Sequence, residues 1–268
     1  MDGQYDAIDE VIKYIHQNIH EPLTLSRLSN YVAYSPYHFS RLFKERVGLS
    51  PHYYISSIRL EKAKDMLLHT NLSVRDIGME IGQQSLGTFT TRFTQRVGIS
   101  PSQFRRSTIV ADEHFHSLKK LNNWADSHSV DYHFNKVEGT VKADAPFQGI
   151  ILIGLFHKPI PEGLPLYGTL LSSLGNFCFK DVKPGTYYLM ATAISWEMQA
   201  TDILLPYTTL RARAESPVLV SSDSYMFHLD LTLRHPRLGD PPILISLPLL
   251  MHKFLNQVFL EFTNSGEK

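Results

Sequence analysis

Arg46-Val47-Gly48-Leu49-Ser50-Pro51 returns fifty residues later as Arg96-Val97-Gly98-Ile99-Ser100-Pro101. Phe39 and Phe43 recur at the same offset as Phe89 and Phe93. Upstream, Leu23, Leu28 and Val32 match Leu72, Ile77 and Ile81 at an offset of forty-nine, so one residue is gained between the paired segments. A repeated supersecondary unit constrains the fold more than any composition does, because both copies must bury the same face. Two copies are too few for a solenoid. They fit two small helical modules joined by a longer helix.

Each copy reads as short helix, tight turn, second helix. In the first, Leu25 and Leu28 share a face and Val32-Ala33 closes it. Ser35 stands at an N-cap position, with Pro36 at the first helical position, where a missing N–H costs nothing. Phe39, Leu42, Phe43 and Val47 then recur at three and four residues, the spacing of a buried stripe. The opposite face carries Tyr37, Ser40, Arg41 and Lys44. Gly48 supplies a left-handed helix end, and Ser50-Pro51 starts the next helix. In the second copy Leu72, Val74 and Ile77 lead to Gly82, Ser85 is the cap, and Phe89, Phe93 and Val97 form the stripe. Its outer face is Gly87, Thr88, Thr91, Arg92 and Gln95. This is the helix-turn-helix unit, whose second helix can enter the DNA major groove.

Between and around the copies, Arg59-Leu60-Glu61-Lys62-Ala63-Lys64, Leu67-Leu68, Val74, Asp76-Ile77, Ile81-Gly82, Phe89, Arg92-Phe93, Gly98, Ser100-Pro101 and Phe104-Arg105 resemble the signature of AraC/XylS regulators. The resemblance runs from about Val11 to Arg106. It implies a seven-helix domain with two recognition helices, held by the linker helix to reach successive major grooves on one face of DNA. It also implies that the nine outer-face residues named above contact DNA. One position departs from the family pattern: Gln83 follows Gly82, where an aromatic residue is usual.

Net charge is zero over the 268 residues, yet the two ends differ. Between Glu21 and Arg106 there are 12 Lys/Arg against 6 Asp/Glu, and from Ser107 to Lys268 there are 13 against 16. A basic half beside an acidic half points to nucleic acid for the first only. Ordinary surface variation accounts for such an excess equally well when it stands alone. The 43% hydrophobic and 19% charged content is that of a soluble globular chain. No apolar run reaches the roughly 20 residues of a membrane span, and Met1-Asp2-Gly3 begins no signal peptide. With Cys178 alone, no intrachain disulfide forms, and the expected location is the cytoplasm.

The expected organisation is multidomain. An all-α DNA-binding domain occupies 1–106, with modules at about 23–47 and 72–97. A linker at 107–135, a β-sandwich at 136–249 and a C-terminal helix and tail at 250–268 follow. Tyr5 to Ile19 is an amphipathic helix. A linker helix runs from Pro51 to about His69, with Arg59, Lys62 and Lys64 on its outer side. Phe115, Leu118, Leu121 and Trp124 fit one helical face within the linker, which also holds His114, His116, His128 and His133. No Cys accompanies these histidines and no His-Glu-x-x-His spacing occurs, so surface histidines outweigh a metal site.

After Lys136 the period falls to two. Runs at Val137–Val141, Gly149–Leu155, Phe177–Phe179, Tyr187–Ala193, Pro217–Val220, Met226–Leu233 and Ile243–Leu247 read as strands. Gly175 to Leu189, preceded by Val137-Glu138-Gly139-Thr140-Val141, resembles transthyretin-like or carboxypeptidase-regulatory-like domains, which implies an immunoglobulin-like sandwich. Leu250, Phe254, Val258 and Phe262 return to helical spacing.

Catalysis has no foothold here: there is no Gly-x-Ser-x-Gly, P-loop or dinucleotide turn. Cys178 sits between phenylalanines, where a thiol acts as a small hydrophobe. The chain is thus expected to be a transcriptional regulator and not an enzyme, binding double-stranded DNA, with no cofactor and no metal. RNA polymerase is a further candidate partner, and the β domain is expected to sense a small-molecule effector or hold a homodimer. The alternative makes it a carbohydrate-binding or purely structural module, with Tyr167, Tyr187, Tyr188 and Tyr207 available to stack on sugar. Activation and repression are equally open. Residues 1–106 alone are expected to bind DNA.

Overall fold

The structure, a computed structural model, describes residues 2–83, 85–121, 135–221 and 226–265. Two compact units form. The first contains residues 1–105 and 237–244, and the second contains 106–236 and 245–268.

The first unit is helical: α1 (Asp2–Gln17), α2 (Leu25–Tyr31), α3 (Pro36–Val47), α4 (Pro51–His69), α5 (Val74–Glu80), α6 (Leu86–Val97) and α7 (Pro101–Arg105). Helix α1 buries Ile8, Val11, Ile12 and Ile15 along one face. Helices α2–α3 and α5–α6 are the two copies, and α4 joins them. Their ends follow local chemistry. Ser35, Ser50, Ser73 and Ser85 each cap a helix by accepting a backbone N–H three residues on. Gly48 and Gly98 close α3 and α6 in the left-handed region, at φ 87° and 93°. The Phe39–Phe43 and Phe89–Phe93 pairs sit at ring distances of 5.7 and 5.8 Å, so the two copies are built alike.

Lys64 departs from the outer side expected of it. It is 1% exposed, and its Nζ donates to the Ile243 carbonyl at 3.0 Å. Leu60, Lys64 and Leu67 are spaced four and three residues apart, which places the ammonium on the buried stripe of α4. Ile243 itself was expected in a strand. It lies instead in an irregular segment, every residue of which from Pro241 to Leu244 is buried. Consecutive prolines at 241 and 242 offer no N–H to a ladder, so the apolar run is buried without joining a sheet.

Early in the second unit lies α8 (Ser107–Leu121), which includes the helical face expected at Phe115, Leu118 and Leu121 and buries Ala111, Phe115 and Leu118. Trp124, His128 and His133 lie outside the described residues. Nine strands follow: β1 (Lys136–Ala143), β2 (Gly149–Phe156), β3 (Tyr167–Leu171), β4 (Gly175–Phe179), β5 (Gly185–Ser195), β6 (Arg211–Arg213), β7 (Val218–Val220), β8 (Met226–His228) and β9 (Leu231–Leu233). Helices α9 (Ala200–Leu204) and α10 (Leu247–Ser265) complete the described elements.

One sheet has β1 between β4 and the pair β8 and β9, and the other runs β3-β2-β5-β6 with β7 also on β5. Val137, Val141, Phe177, Phe179, Leu231 and Leu233 of the first share one core with Ile151, Ile153, Leu155, Leu189 and Ala191 of the second. The run expected at Met226–Leu233 is two strands, and between them the Leu229 carbonyl passes so close to Gly139 that a Cβ there would stand 1.9 Å away. Both strands run parallel to β1, so this sheet is mixed.

Candidate nucleic-acid interface

In α3 the Ser35 hydroxyl accepts from the His38 N–H at 3.3 Å, and Pro36 fixes the first turn. Phe39, Leu42, Phe43 and Val47 are buried. That leaves Tyr37, Arg41 and Lys44 exposed, with Ser40 half-buried beside them. Tyr37 is 82% exposed. In α6 the inner stripe of Phe89, Phe93 and Val97 is buried. Gly87, Thr88, Thr91 and Gln95 are exposed, and Arg92 is half-buried. Each set of sequence-derived candidates therefore occupies the solvent side of its own helix.

Two candidates have intramolecular partners. Arg41 Nη1 lies 3.4 Å from Glu45 Oε1, an exposed pair one turn apart. Such a pair contributes only about 0.3–0.5 kcal/mol, whereas a bidentate guanine contact is worth about 1–3 kcal/mol, so the guanidinium is free to exchange partners. Arg92 Nη1 donates to Gln83 Oε1 at 3.0 Å. Gln83, the residue standing in place of the usual aromatic, thus steadies a candidate phosphate ligand at the turn of the second module.

Most of the remaining cations serve the fold, which the charge excess could not reveal. Arg46 grips Asp9 with two hydrogen bonds, of 3.1 and 2.8 Å, tying α3 to α1. Arg59 donates to the carbonyls of Ile19 and Glu21 at 3.1 and 2.8 Å and lies beside Gly82 in the second turn. Arg96 is buried in α6, bonds Ser56 and Ser57 of α4, and sits 4.5 Å over the Tyr53 ring. Arg105 donates to the Leu67 and Leu72 carbonyls at the end of α4. Sequence reasoning missed these roles; each guanidinium closes a contact with a residue over thirty positions away, so no local pattern signals it. Arg41, Lys44, Arg75 and Arg92 are among the cations left open to a polyanion.

Gly87 is the clearest opening on this face. A Cβ there would meet only Ser85 Oγ, at 3.9 Å, so no intramolecular neighbour demands glycine. Its absence of a side chain lets something outside the chain approach the helix backbone closely.

In the second unit Tyr167 and Tyr187 meet edge to face, with ring centroids 6.0 Å apart. Tyr187 is buried and donates to the Lys183 carbonyl at 2.7 Å, while the Tyr167 hydroxyl accepts the Lys183 N–H at 3.0 Å. Both hydroxyls fasten the 181–185 turn. His114 stacks on His252 at 4.8 Å and not on His116. Among the described residues no group of three or more His, Cys, Asp or Glu gathers to hold a metal ion, and no helix is long and apolar enough to cross a membrane.

Residues 28–107 match the helix-turn-helix domain family. Over 102 residues the chain is 37% identical to an uncharacterised HTH-type transcriptional regulator, YobQ, of Bacillus subtilis (strain 168), which covers 38% of this chain and 42% of that protein. Over 99 residues it is 35% identical to the bifunctional transcriptional activator/DNA repair enzyme AdaA of the same organism, covering 37% of this chain and 47% of that one. Among solved structures, a transcriptional regulator with an AraC-type DNA-binding domain from Chromobacterium violaceum aligns with a TM-score of 0.38 at 29% identity, covering 40% of this chain and 96% of that chain. The chain thus spans less than half the length of these two curated relatives. A helix-turn-helix domain lies at residues 28–107.

Proposed function

We propose that the chain is a sequence-specific DNA-binding regulator of transcription, with α3 and α6 entering successive major grooves. The observation that carries this reading is the duplication itself. Both copies bury their phenylalanine stripe and leave the opposite face of the second helix exposed, polar and basic. Tyr37, Ser40, Arg41 and Lys44 read bases; Gly87, Thr88, Thr91, Arg92 and Gln95 anchor the second helix on phosphates and thymine methyls. A cytoplasmic setting and RNA polymerase as a partner accompany the proposal, and catalysis is no part of it.

For the second unit we favour an immunoglobulin-like sandwich that senses an effector or mediates assembly. Support comes from two sheets sharing one core. The structural-module alternative is supported by the burial of Tyr187, which removes one ring from any sugar-stacking row.

The test uses the full chain and a duplex of roughly 17–20 bp, the span of two major-groove segments. With at least Arg75 and Arg92 on phosphates, log affinity should fall with log salt at a slope of about −2 or steeper. Titration between 50 and 200 mM salt by fluorescence anisotropy, at about 0.9 per phosphate neutralised, measures it. Binding that ignores salt, or no binding to any member of a random-sequence pool, refutes the DNA reading.

A further inference from the structure

The helical unit is made of two chain segments, and the second is short. Residues 237–244 open with a turn in which the Arg237 N–H donates to Asp240 Oδ2 at 2.8 Å and the Asp240 N–H donates to the Arg237 carbonyl at 3.0 Å. Gly239 takes φ +88° at its centre; a Cβ there would stand 3.1 Å from Ile12 Cδ1 and 3.9 Å from Val47 Cγ2. The turn therefore rests on α1 and on the end of α3. Pro241 and Pro242 follow, buried, with no N–H to satisfy. Ile243 and Leu244 are buried, and the Ile243 carbonyl receives the Lys64 ammonium. Phe104 of α7 packs its ring 5.4 Å from that nitrogen. The strap therefore touches α1, α3 and α4.

We propose that residues 237–244 act as a releasable clasp: seated, they complete the core of the helical unit and satisfy Lys64 at the middle of α4; released, they loosen the helix that joins the two modules.

Two features distinguish a clasp from an ordinary core segment. It has no strand ladder or helix of its own, and apolar contact and the Lys64 bond to the Ile243 carbonyl are among the interactions that hold it. It also lies between two anchors that belong to the second unit. Just before it, Arg234 exchanges backbone hydrogen bonds with Arg211 at 3.0 and 2.9 Å; just after it, the Ile245 N–H donates to the Pro161 carbonyl at 3.1 Å. Any event that shifts either anchor acts on a segment only eight residues long. Because α4 carries Arg59 and receives Arg96 and Arg105, the helix that loses its clasp is the one on which both modules are oriented.

The clasp does not rest on the DNA reading, although its consequence for binding does. Hydrogen exchange under native conditions on the full chain reads seating directly. The amides of Gly239, Asp240, Ile243 and Leu244 should open at least tenfold more often than those of β2 and β5. In Gly239→Val, which sets a branched side chain at a positive φ against Ile12, protection of the strap and of α4 should both fall at least tenfold. Protection of β2 and β5 should be unchanged, and affinity for duplex DNA should fall about tenfold. In Lys64→Met, the milder variant, the strap amides should open faster while α4 stays protected. Strap amides that exchange only with global unfolding in the wild type overturn the clasp, whatever the variants do. So does Gly239→Val with strap loosened and α4 unaffected. Absence of DNA binding by the wild type would count against the proposed function and leave the exchange result standing.

Discussion

Lys64 shows what one residue can impose on a helix. Burial pulls its ammonium down from 10.5 to about 8, against the pull of Glu61, which favours the charge. The folded state therefore binds this proton less well than the unfolded chain does. The resulting penalty is fully present below pH 8 and disappears as the pH rises to the unfolded value near 10.5, so stability from this group increases across that window. A shift of that size is worth on the order of 3 kcal/mol. Urea unfolding of wild type and Lys64→Met at pH 7.5, 9 and 10.5 should show the difference between them changing by that order; a constant difference would mean the ammonium is solvated. Arg41 is the opposite case, exposed and only loosely paired. Arg41→Ala should leave stability within about 0.5 kcal/mol, in line with surface substitutions. It should relax sequence preference at one or two base pairs, while Thr88→Ala with Thr91→Ala weakens binding more evenly. An unchanged consensus in a binding-site selection with Arg41→Ala would reverse reader and anchor.

At the scale of elements, what was legible was local. Ser35-Pro36, Ser50-Pro51 and Ser85 mark helix starts by chemistry that acts within three residues, and Gly48 and Gly98 mark ends the same way, so α3, α4 and α6 were readable. The outer faces followed from the phenylalanine stripes by elimination. The buried run at Ile243–Leu247 was not readable. An apolar run of that length has no period to separate a strand from a strap, and only a partner far away in sequence decides. Nor was β6 readable: Arg211-Ala212-Arg213 is three residues long and exists because β5 is there to pair with it. In α6, Gly87 is a helical glycine with open space around it, so Gly87→Ala should stabilise the helix by about 0.5–1 kcal/mol. If the helix backbone meets DNA there, the same substitution lowers affinity while raising the melting temperature. Both quantities rising or both falling would remove close approach as the reason for the glycine.

At the scale of the molecule, sequence similarity and the repeat agree on where the helix-turn-helix domain lies, yet neither contains residues 237–244. A fragment ending at 106 keeps every candidate DNA contact and lacks the strap. Burial of Ile243 and Leu244 contributes about 1.5–3 kcal/mol each, a large share of a stability of roughly 5–15 kcal/mol. The fragment 1–106 should therefore melt well below the helical unit of the intact chain, and adding Lys64→Met should recover part of the loss. Calorimetry of the two fragments beside the full protein decides. A fragment as stable as the intact unit would make the strap a passenger.

The order of the strap in the chain also carries a consequence for how the molecule is made. Residue 244 leaves the ribosome 139 residues after residue 105. At about 5–20 residues per second, the helical unit waits roughly 7–28 s for its last piece. During that interval Lys64 has no Ile243 carbonyl and the surfaces of Ile12 and Val47 have no turn across them. A growing chain therefore carries an incomplete helical unit until residue 244 has emerged.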